Sequence, residues 1–163
     1  MGIEIERKFL LANDEWRAHV ERSERIAQGY LAGAEAMHAG HTRCSVRVRI
    51  NGDRAWINVK SAAQGIARQE YEYLIPIEDA HAMLALASGT VEKIRHHVTV
   101  EGVLFEVDEF LGDNQGLVLA EVELPSEQSA HPVPAWLGQE VSDDGRYYNI
   151  NLIAHPYTAW ASP

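Results

Sequence analysis

Charged side chains recur at every second position in several short segments of this chain. In the first segment Glu4, Glu6 and Lys8 occupy alternate positions. Ile3 precedes Glu4, and Ile5 lies between Glu4 and Glu6. Because successive side chains of a β-strand point to opposite faces, the three charged residues share one face. Carboxylate oxygens suit magnesium or manganese, and cationic side chains suit phosphate oxygens. The spacing therefore places possible ligands for a metal ion and a phosphate on one strand face.

The same alternation appears in six later segments, each with charged residues on one face and apolar residues on the other. The carboxylates on these faces are Glu4, Glu6, Glu70, Glu72, Glu106, Asp108, Glu121 and Glu123. The cations are Lys8, Arg47, Arg49, Lys60, Arg68, Lys93 and Arg95. If these faces converge, they form a dense cluster of mixed charge, which a polyphosphate with divalent metal ions would complete.

The elements that must position these residues are mostly strands. Eight are predicted: the opening strand and residues 24–32, 44–50, 55–60, 68–75, 91–100, 103–110 and 117–124. Turn signals at Asn51-Gly52-Asp53 and Glu101-Gly102 make neighbouring strands antiparallel. A short helix is predicted from Asn13 towards Val20, another over residues 78–84, a loop over residues 33–41, and short helices after residue 132.

Two arrangements fit the alternation. In one, the sheet is open and its charged face is solvated and carries weak ion pairs. In the other, the sheet closes into a barrel or tunnel, with the charges inside and the apolar face outside beneath helices. The residue pattern alone leaves both open.

Size and composition restrict the class of protein. The 163 residues include 46% hydrophobic residues, which suits one soluble α+β domain over residues 1–163. The formal net charge of -10 argues against a broad nucleic-acid or acidic-membrane surface. Cys44 is the only cysteine, and no long apolar run opens the chain, so we expect a cytoplasmic protein with no nucleic-acid or membrane partner.

The run Glu4-Ile5-Glu6-Arg7-Lys8 is the ExExK signature of the CYTH superfamily, also called triphosphate tunnel metalloenzymes. The chain resembles the small bacterial members of this superfamily over nearly its whole length. The further matching segments, in chain order, are Gln28-Gly29-Tyr30-Leu31, Val46-Arg47-Val48-Arg49, Lys60, Arg68-Gln69-Glu70-Tyr71-Glu72-Tyr73, Lys93-Ile94-Arg95, Phe105-Glu106-Val107-Asp108, residues 116–124 and residues 140–149.

The resemblance implies an eight-stranded antiparallel β-barrel or tunnel with a charged interior and helices packed on the outside. By motif position, the residues that look like metal ligands are Glu4, Glu6, Glu72, Asp108, Glu121 and Glu123. Those that look like phosphate-binding cations are Lys8, Arg47, Arg49, Lys60, Lys93 and Arg95. Tyr30 matches a tyrosine that is sometimes given a proton-accepting role, and it could instead be an aromatic residue at the barrel mouth.

The resemblance implies a hydrolase that cleaves inorganic triphosphate into pyrophosphate and orthophosphate with Mg²⁺ or Mn²⁺. Other members suggest alternatives: a class IV-type adenylate cyclase, or a thiamine or nucleoside triphosphatase. A module that only binds polyphosphate or nucleotide is the non-enzyme alternative. The expected partner is a small-molecule triphosphate, and a homodimer is left open. The loop predicted over residues 33–41 is long and rich in alanine and histidine, and it departs from the family pattern.

Overall fold

The computed structural model describes residues 2–63 and 65–160. Its strands are β1 (Gly2–Leu11), β2 (Val20–Ala32), β3 (Cys44–Asn51), β4 (Arg54–Ser61), β5 (Ala67–Ile75), β6 (Thr90–Val100), β7 (Val103–Phe110), β8 (Val118–Glu123) and β9 (Leu137–Glu140). Two α-helices are α1 (Ala34–His38) and α2 (Ile77–Leu84). The 3-10 helices are Glu15–His19, Gly112–Asn114, Gly145–Tyr147, Asn149–Asn151 and Tyr157–Ala159.

Eight of the strands close into an antiparallel barrel. Their order is β5-β4-β3-β2-β6-β7-β8-β1, and a further pairing of β1 with β5 closes the ring. Along β1, Gly2 to Ile5 pair with β5, and Glu6 to Leu10 pair with β8. The predicted eight-stranded antiparallel tunnel is therefore confirmed, and of the two arrangements left open by the pattern, the closed one is present.

The turns follow the signals in the sequence. Val100 and Val103 are paired across Glu101-Gly102, and both turn residues have positive φ, as a type I′ hairpin requires. Asn51 pairs with Arg54 across a two-residue loop that begins with Gly52 at φ +61°. Tight hairpins at these positions bring the charged faces of consecutive strands into register.

The apolar faces lie outside the barrel and are covered by the remaining chain. One cluster, which includes Phe9, Trp16, Phe105 and Trp136, packs the 3-10 helix Glu15–His19 and the segment before β9 against the barrel. A second cluster includes Val91, Tyr147 and Leu152, and covers another part of the wall with the C-terminal segment. The third lies beneath α2, where Ala80 packs with Val48 and Ile50. Burial of apolar side chains on the outer face therefore stabilises the barrel, and the charged side chains point into its interior.

Several elements differ from the sequence prediction. The predicted loop over residues 33–41 contains α1, because Ala34, Glu35, Ala36 and Met37 are good helix formers. The helix predicted from Asn13 is a 3-10 helix that begins at Glu15, whose backbone N–H donates to Asn13 Oδ1 at 2.9 Å.

Strand β9 was not predicted, because its four residues show too little alternation to be recognised. Strand β5 pairs with β1 only from Gly2 to Ile5, and β9 pairs with β1 further along, at Phe9 and Leu11. The strand therefore covers backbone groups of β1 that would otherwise form an open edge.

Candidate functional site

The barrel encloses a cavity of about 1530 Å³, and all eight barrel strands contribute side chains to its wall. Because side chains of a strand alternate between inside and outside, closing the sheet turns each charged face inward. The predicted site residues that line the cavity are Glu4, Glu6, Lys8, Tyr30, Arg47, Arg49, Lys60, Glu72, Lys93, Arg95, Glu121 and Glu123. The structure thus brings every predicted site residue except Asp108 to one cavity wall.

The carboxylates of β1 and β8 lie side by side. Glu6 is opposite Glu123 in the strand register, and Lys8 is opposite Glu121. Burial, together with the charges of Glu121 and Glu4, raises the pKa of Glu6 to about 7. Burial and neighbouring carboxylates, of which Glu4 is the strongest, also raise the pKa of Glu123. Burial and neighbouring carboxylates therefore disfavour ionisation of Glu6 and Glu123.

Glu4 and Glu121 are each held by cations of the tunnel wall. Glu4 accepts a hydrogen bond from Lys60 Nζ at 3.0 Å and lies 3.3 Å from Arg68 Nε. Burial opposes ionisation of Glu4, but Lys60 and Arg68 lower its pKa. Glu121 lies 3.2 Å from Lys8 Nζ, and although burial opposes ionisation, Lys8 and then Arg95 lower its pKa. Both carboxylates are therefore ionised and held by the tunnel's own cations.

The arginines of β3 are positively charged groups that are incompletely paired among the described residues. Arg47 is only 8% exposed, and within residues 2–63 and 65–160 it makes no ion pair and its buried Nε has no hydrogen-bond partner. Arg49 pairs with Glu72 at 3.2 Å, and its Nε is also without a partner. Burial, with the charge of Arg47, lowers the pKa of Arg49. A buried guanidinium with free N–H groups that face a cavity is suited to bind an anion such as a phosphate.

Asp108 has a different position from the other predicted metal ligands. It is fully buried, and it accepts hydrogen bonds from Lys93 Nζ at 2.7 Å and from Arg95 Nε and Nη2 at 2.8 and 2.9 Å. Burial opposes its ionisation, but Arg95 and Lys93 lower its pKa. Asp108 therefore lies behind these two cations and orients them towards the cavity.

Tyr30 lies on β2 and is 9% exposed, in the wall of the same cavity. It pairs in the strand register with Arg47 of β3. The structure thus places the predicted proton acceptor next to the strand that carries the unpaired guanidinium.

Two buried polar residues close to the predicted site were not themselves predicted as site residues. Asn58 is fully buried and donates to Glu70 and Glu72, and Gln28, which is opposite Arg49 in the register of β2 and β3, is fully buried and lines the cavity. Both share a strand face with predicted residues, so the period-two alternation could have identified them. Arg68, which contacts Glu4 and Glu6, stood on a predicted charged face but had no assigned role.

The C-terminal segment supplies a residue that no strand alternation could have identified. Asn149 Oδ1 accepts hydrogen bonds from Gln28 Nε2 at 2.8 Å and from Lys93 Nζ at 3.0 Å. Lys8 Nζ lies 3.4 Å from the carbonyl oxygen of Tyr147 in the same segment. Part of the C-terminal segment therefore reaches the tunnel interior, whereas the sequence predicted helices only on the outside.

The donor set at β1 and β8 fits a divalent cation by its chemistry. Among the described residues, no three His, Cys, Asp or Glu side chains are gathered into a ready metal cluster. Glu6 and Glu123 nevertheless have raised pKa values next to other carboxylates, and a bound cation would relieve this repulsion. Such an ion would compete with Lys60 for Glu4 and with Lys8 for Glu121.

Comparison with known proteins identifies relatives along almost the whole chain. The CYTH domain family matches residues 2–157. An inorganic triphosphatase from Acetivibrio thermocellus is 41% identical over 159 residues, which cover 96% of this chain and 97% of that protein. An inorganic triphosphatase from Nitrosomonas europaea is 36% identical over 154 residues, which cover 91% of this chain and 95% of that protein.

Solved structures share the fold. The crystal structure of an inorganic triphosphatase superposes with a TM-score of 0.65 at 34% sequence identity, covering 91% of this chain and 93% of that chain. A putative adenylyl cyclase from Hippeastrum, described as having a dominant triphosphatase activity, has a TM-score of 0.58 at 14% identity and covers 77% of this chain and 80% of that chain. At this lower identity the similarity concerns the fold alone.

Among the described residues, no helix is long and apolar enough to span a membrane.

Proposed function

The chain belongs to the CYTH domain family, and from this we propose that it hydrolyses inorganic triphosphate to pyrophosphate and orthophosphate inside its tunnel. The observation that carries the proposal is the pair of complementary charge imbalances in one cavity. Arg47 and Arg49 each have a buried Nε without a hydrogen-bond partner in the described part of the chain, and the ionisation of Glu6 and Glu123 is disfavoured by neighbouring carboxylates. A triphosphate bound with a divalent cation would satisfy both. The relatives called inorganic triphosphatases support the same substrate.

The cations of the wall are proposed to bind the phosphate oxygens. Those assigned to the substrate are Lys8, Arg47, Arg49, Lys60, Lys93 and Arg95. They come from β1, β3, β4 and β6, so they surround an extended polyanion rather than contact it from one side. Positive charge on several sides stabilises the charge that develops on the phosphoryl oxygens during transfer.

The carboxylates are proposed to hold the divalent cation, which would be Mg²⁺ or Mn²⁺. Glu4, Glu6, Glu121 and Glu123 are the assigned ligands, because they are adjacent on β1 and β8. Glu72 and Asp108 remain weaker candidates, and for Asp108 its bonds to Lys93 and Arg95 favour a role in orienting these cations. When bound, the ion supplies charge neutralisation at the terminal phosphoryl group and a position for the attacking water.

The reaction requires one bond to form and one to break. A water oxygen attacks the terminal phosphorus in line, and the bond from that phosphorus to the bridging oxygen breaks, so that pyrophosphate leaves. Tyr30 is proposed to accept a proton from the water as a phenolate that neighbouring cations stabilise, or to lie at the tunnel mouth as an aromatic wall residue. The cations of β3 and β6 stabilise the leaving pyrophosphate.

Further expectations accompany this function. The partner is proposed to be a small-molecule triphosphate, with no nucleic acid and no membrane, and a homodimer stays open. A cytoplasmic location and a single domain over residues 1–163 stay predictions.

An activity panel tests the proposal. The protein is incubated with Mg²⁺ or Mn²⁺ and with inorganic triphosphate, ATP or thiamine triphosphate, and orthophosphate, pyrophosphate and cyclic AMP are separated. We expect metal-dependent release of orthophosphate and pyrophosphate, chiefly from inorganic triphosphate. Cyclic AMP and pyrophosphate from ATP would instead indicate a cyclase, and binding without turnover of any substrate would indicate a binding module.

A further inference from the structure

Asn149 is held by two donors at the inner end of the C-terminal segment. Its Oδ1 accepts from Gln28 Nε2 at 2.8 Å and from Lys93 Nζ at 3.0 Å. Gln28 is fully buried and Lys93 is 2% exposed. An ammonium group can only donate hydrogen bonds, so the atom of Asn149 that faces Lys93 must be the oxygen. The orientation of the amide therefore follows from the chemistry of its neighbours.

The same contact determines where the Lys93 ammonium can point. Lys93 Nζ donates to Asp108 Oδ2 at 2.7 Å and to Asn149 Oδ1 at 3.0 Å. An ammonium carries three N–H donors, so one remains for a ligand in the cavity that Lys93 lines. A lysine on a flexible four-carbon stem would otherwise have many positions available. Two fixed acceptors restrict it to one.

Asn149 is itself fixed by contacts within the C-terminal segment. It opens the 3-10 helix Asn149–Asn151, which follows directly on the helix Gly145–Tyr147. Asn151 Nδ2 donates to the carbonyl oxygen of Gly145 at 2.8 Å, and the Tyr148 hydroxyl donates to the carbonyl oxygen of Ser142 at 2.7 Å. These bonds stabilise the segment through contacts within it, and neither of them involves Lys93.

We propose that Asn149 is a positioning residue for triphosphate hydrolysis. Together with Asp108 it holds the Lys93 ammonium so that the remaining N–H points to a phosphate oxygen. Gln28 keeps the Asn149 oxygen in place from the side of β2. The inference rests on the proposed function, because Lys93 must contact the triphosphate for its position to matter.

A double-mutant cycle between Asn149→Ala and Lys93→Met tests this role. If Asn149 acts through Lys93, Asn149→Ala lowers kcat/KM for inorganic triphosphate about tenfold in the wild-type background. In the Lys93→Met background it changes kcat/KM little, because the group that it positions is gone. The matched control is Asn151→Ala, which removes an amide from the same segment and should have the same small effect in both backgrounds.

A purely structural role would give a different result. If Asn149 only docks the C-terminal segment, Asn149→Ala costs the same factor with and without Lys93, and the proposal is wrong. Asn149→Asp is a second variant that retains an oxygen facing Lys93. We expect it to keep kcat within about threefold of wild type while it raises KM through charge repulsion. A loss of kcat as large as that of the alanine variant would also overturn the proposal.

The failure of the proposed function is distinguished by a binding measurement. Isothermal titration calorimetry with inorganic triphosphate in metal-free buffer gives a Kd for the wild type, for the two single variants Asn149→Ala and Lys93→Met, and for the double variant. If the wild type binds inorganic triphosphate but does not hydrolyse it, the proposed hydrolase function is wrong. The double-mutant cycle calculated from the four Kd values then still decides the role of Asn149. If the wild type binds inorganic triphosphate neither in this buffer nor in the presence of Mn²⁺, the positioning role is overturned as well.

Discussion

At the scale of single residues, the environment of Arg47 and Glu6 connects the fold to the chemistry. Arg47 is buried without an ion pair among the described residues, and Glu6 lies half-buried among other carboxylates, with Arg68 at 3.8 Å. Folding alone does not explain either arrangement, because a buried charge without a partner and a cluster of like charges are both costly. The arrangement is understandable if a polyanion and a cation complete it.

Replacing the Glu6 carboxylate tests the assigned metal site. We expect Glu6→Gln to abolish metal-dependent hydrolysis, because a neutral amide is a poor ligand for a hard divalent cation. The thermal midpoint should be retained or rise at pH 7.5, since the variant removes a repelled charge. Steady-state kinetics with Mn²⁺ and a thermal melt measure both.

The matched control for that variant is Glu92→Gln. Glu92 also lies on a barrel strand, but it pairs with Arg25 at 2.9 Å and does not line the cavity. Wild-type activity is expected for Glu92→Gln. If Glu6→Gln were equally active, Glu6 would not be a metal ligand.

Removing the Arg47 guanidinium tests the phosphate site. Loss of a charge-assisted hydrogen bond should cost about 2 kcal/mol, which corresponds to a rise in KM for inorganic triphosphate of roughly 30-fold in Arg47→Ala. Arg25→Ala, which removes an exposed arginine, serves as the control. Unchanged kinetics in Arg47→Ala would mean that the guanidinium does not contact substrate.

At the scale of elements, the strand alternation predicted the inward-facing residues, but it could not predict that the sheet closes. An open sheet and a barrel have the same period of two, and closure depends on the pairing of Gly2 to Ile5 with β5, which no local pattern encodes. The resemblance to the CYTH family supplied what the alternation left open. α1 was missed because its alanine-rich segment was interpreted as a loop.

Asn149 could not be identified for a related reason. It lies on a short 3-10 helix, where no periodicity distinguishes an inward-facing from an outward-facing residue. Gln28 and Asn58, by contrast, stand in phase with charged residues on their strands, and the alternation of these strands therefore could have identified them.

The contact between β1 and β9 gives a prediction at this scale. A Cβ added at Gly138 would lie 2.8 Å from the carbonyl oxygen of Leu10 and 3.1 Å from the backbone nitrogen of Ala12. Because backbone atoms cannot move aside easily, Gly138→Ala should lower the free energy of unfolding by about 1–3 kcal/mol. Urea unfolding measures the loss.

Gly145→Ala is the matched control for this substitution. Its Cβ would meet nothing closer than Asn151 Nδ2 at 3.7 Å. We expect a change of only a few tenths of a kcal/mol or a small stabilisation. If both variants were equally stable, β9 would not pack against β1 as closely as described.

At the scale of the whole molecule, the tunnel charges link stability to pH. The folded-state pKa of Glu6 is raised to about 7, above its ordinary value of 4.5, so the folded protein binds this proton more tightly than the unfolded chain. The contribution of Glu6 to the free energy of unfolding is therefore complete below pH 4.5. This contribution, about 3 kcal/mol, is lost as the pH rises to about 7. The lowered pKa values of Glu4, Asp108 and Glu121 act in the opposite direction, but only below about pH 4.5.

Thermal melts of the metal-free protein between pH 5 and pH 7.5 test this linkage. The midpoint should fall with rising pH in the wild type, and the decrease should be smaller in Glu6→Gln. Adding Mn²⁺ at pH 7.5 should raise the wild-type midpoint, because the ion binds the ionised carboxylates of the folded state only. A midpoint that neither depends on Glu6 nor responds to Mn²⁺ would contradict the assigned charge distribution.

The central claim is that a divalent cation and a triphosphate meet inside the tunnel. The most direct measurement is a crystal structure with Mn²⁺ and a non-hydrolysable analogue of inorganic triphosphate, in which the anomalous signal of manganese locates the ion. We expect a manganese peak next to Glu4 and Glu6, with the phosphate oxygens in contact with Arg47. Manganese or triphosphate bound only on the outer surface of the barrel would contradict it.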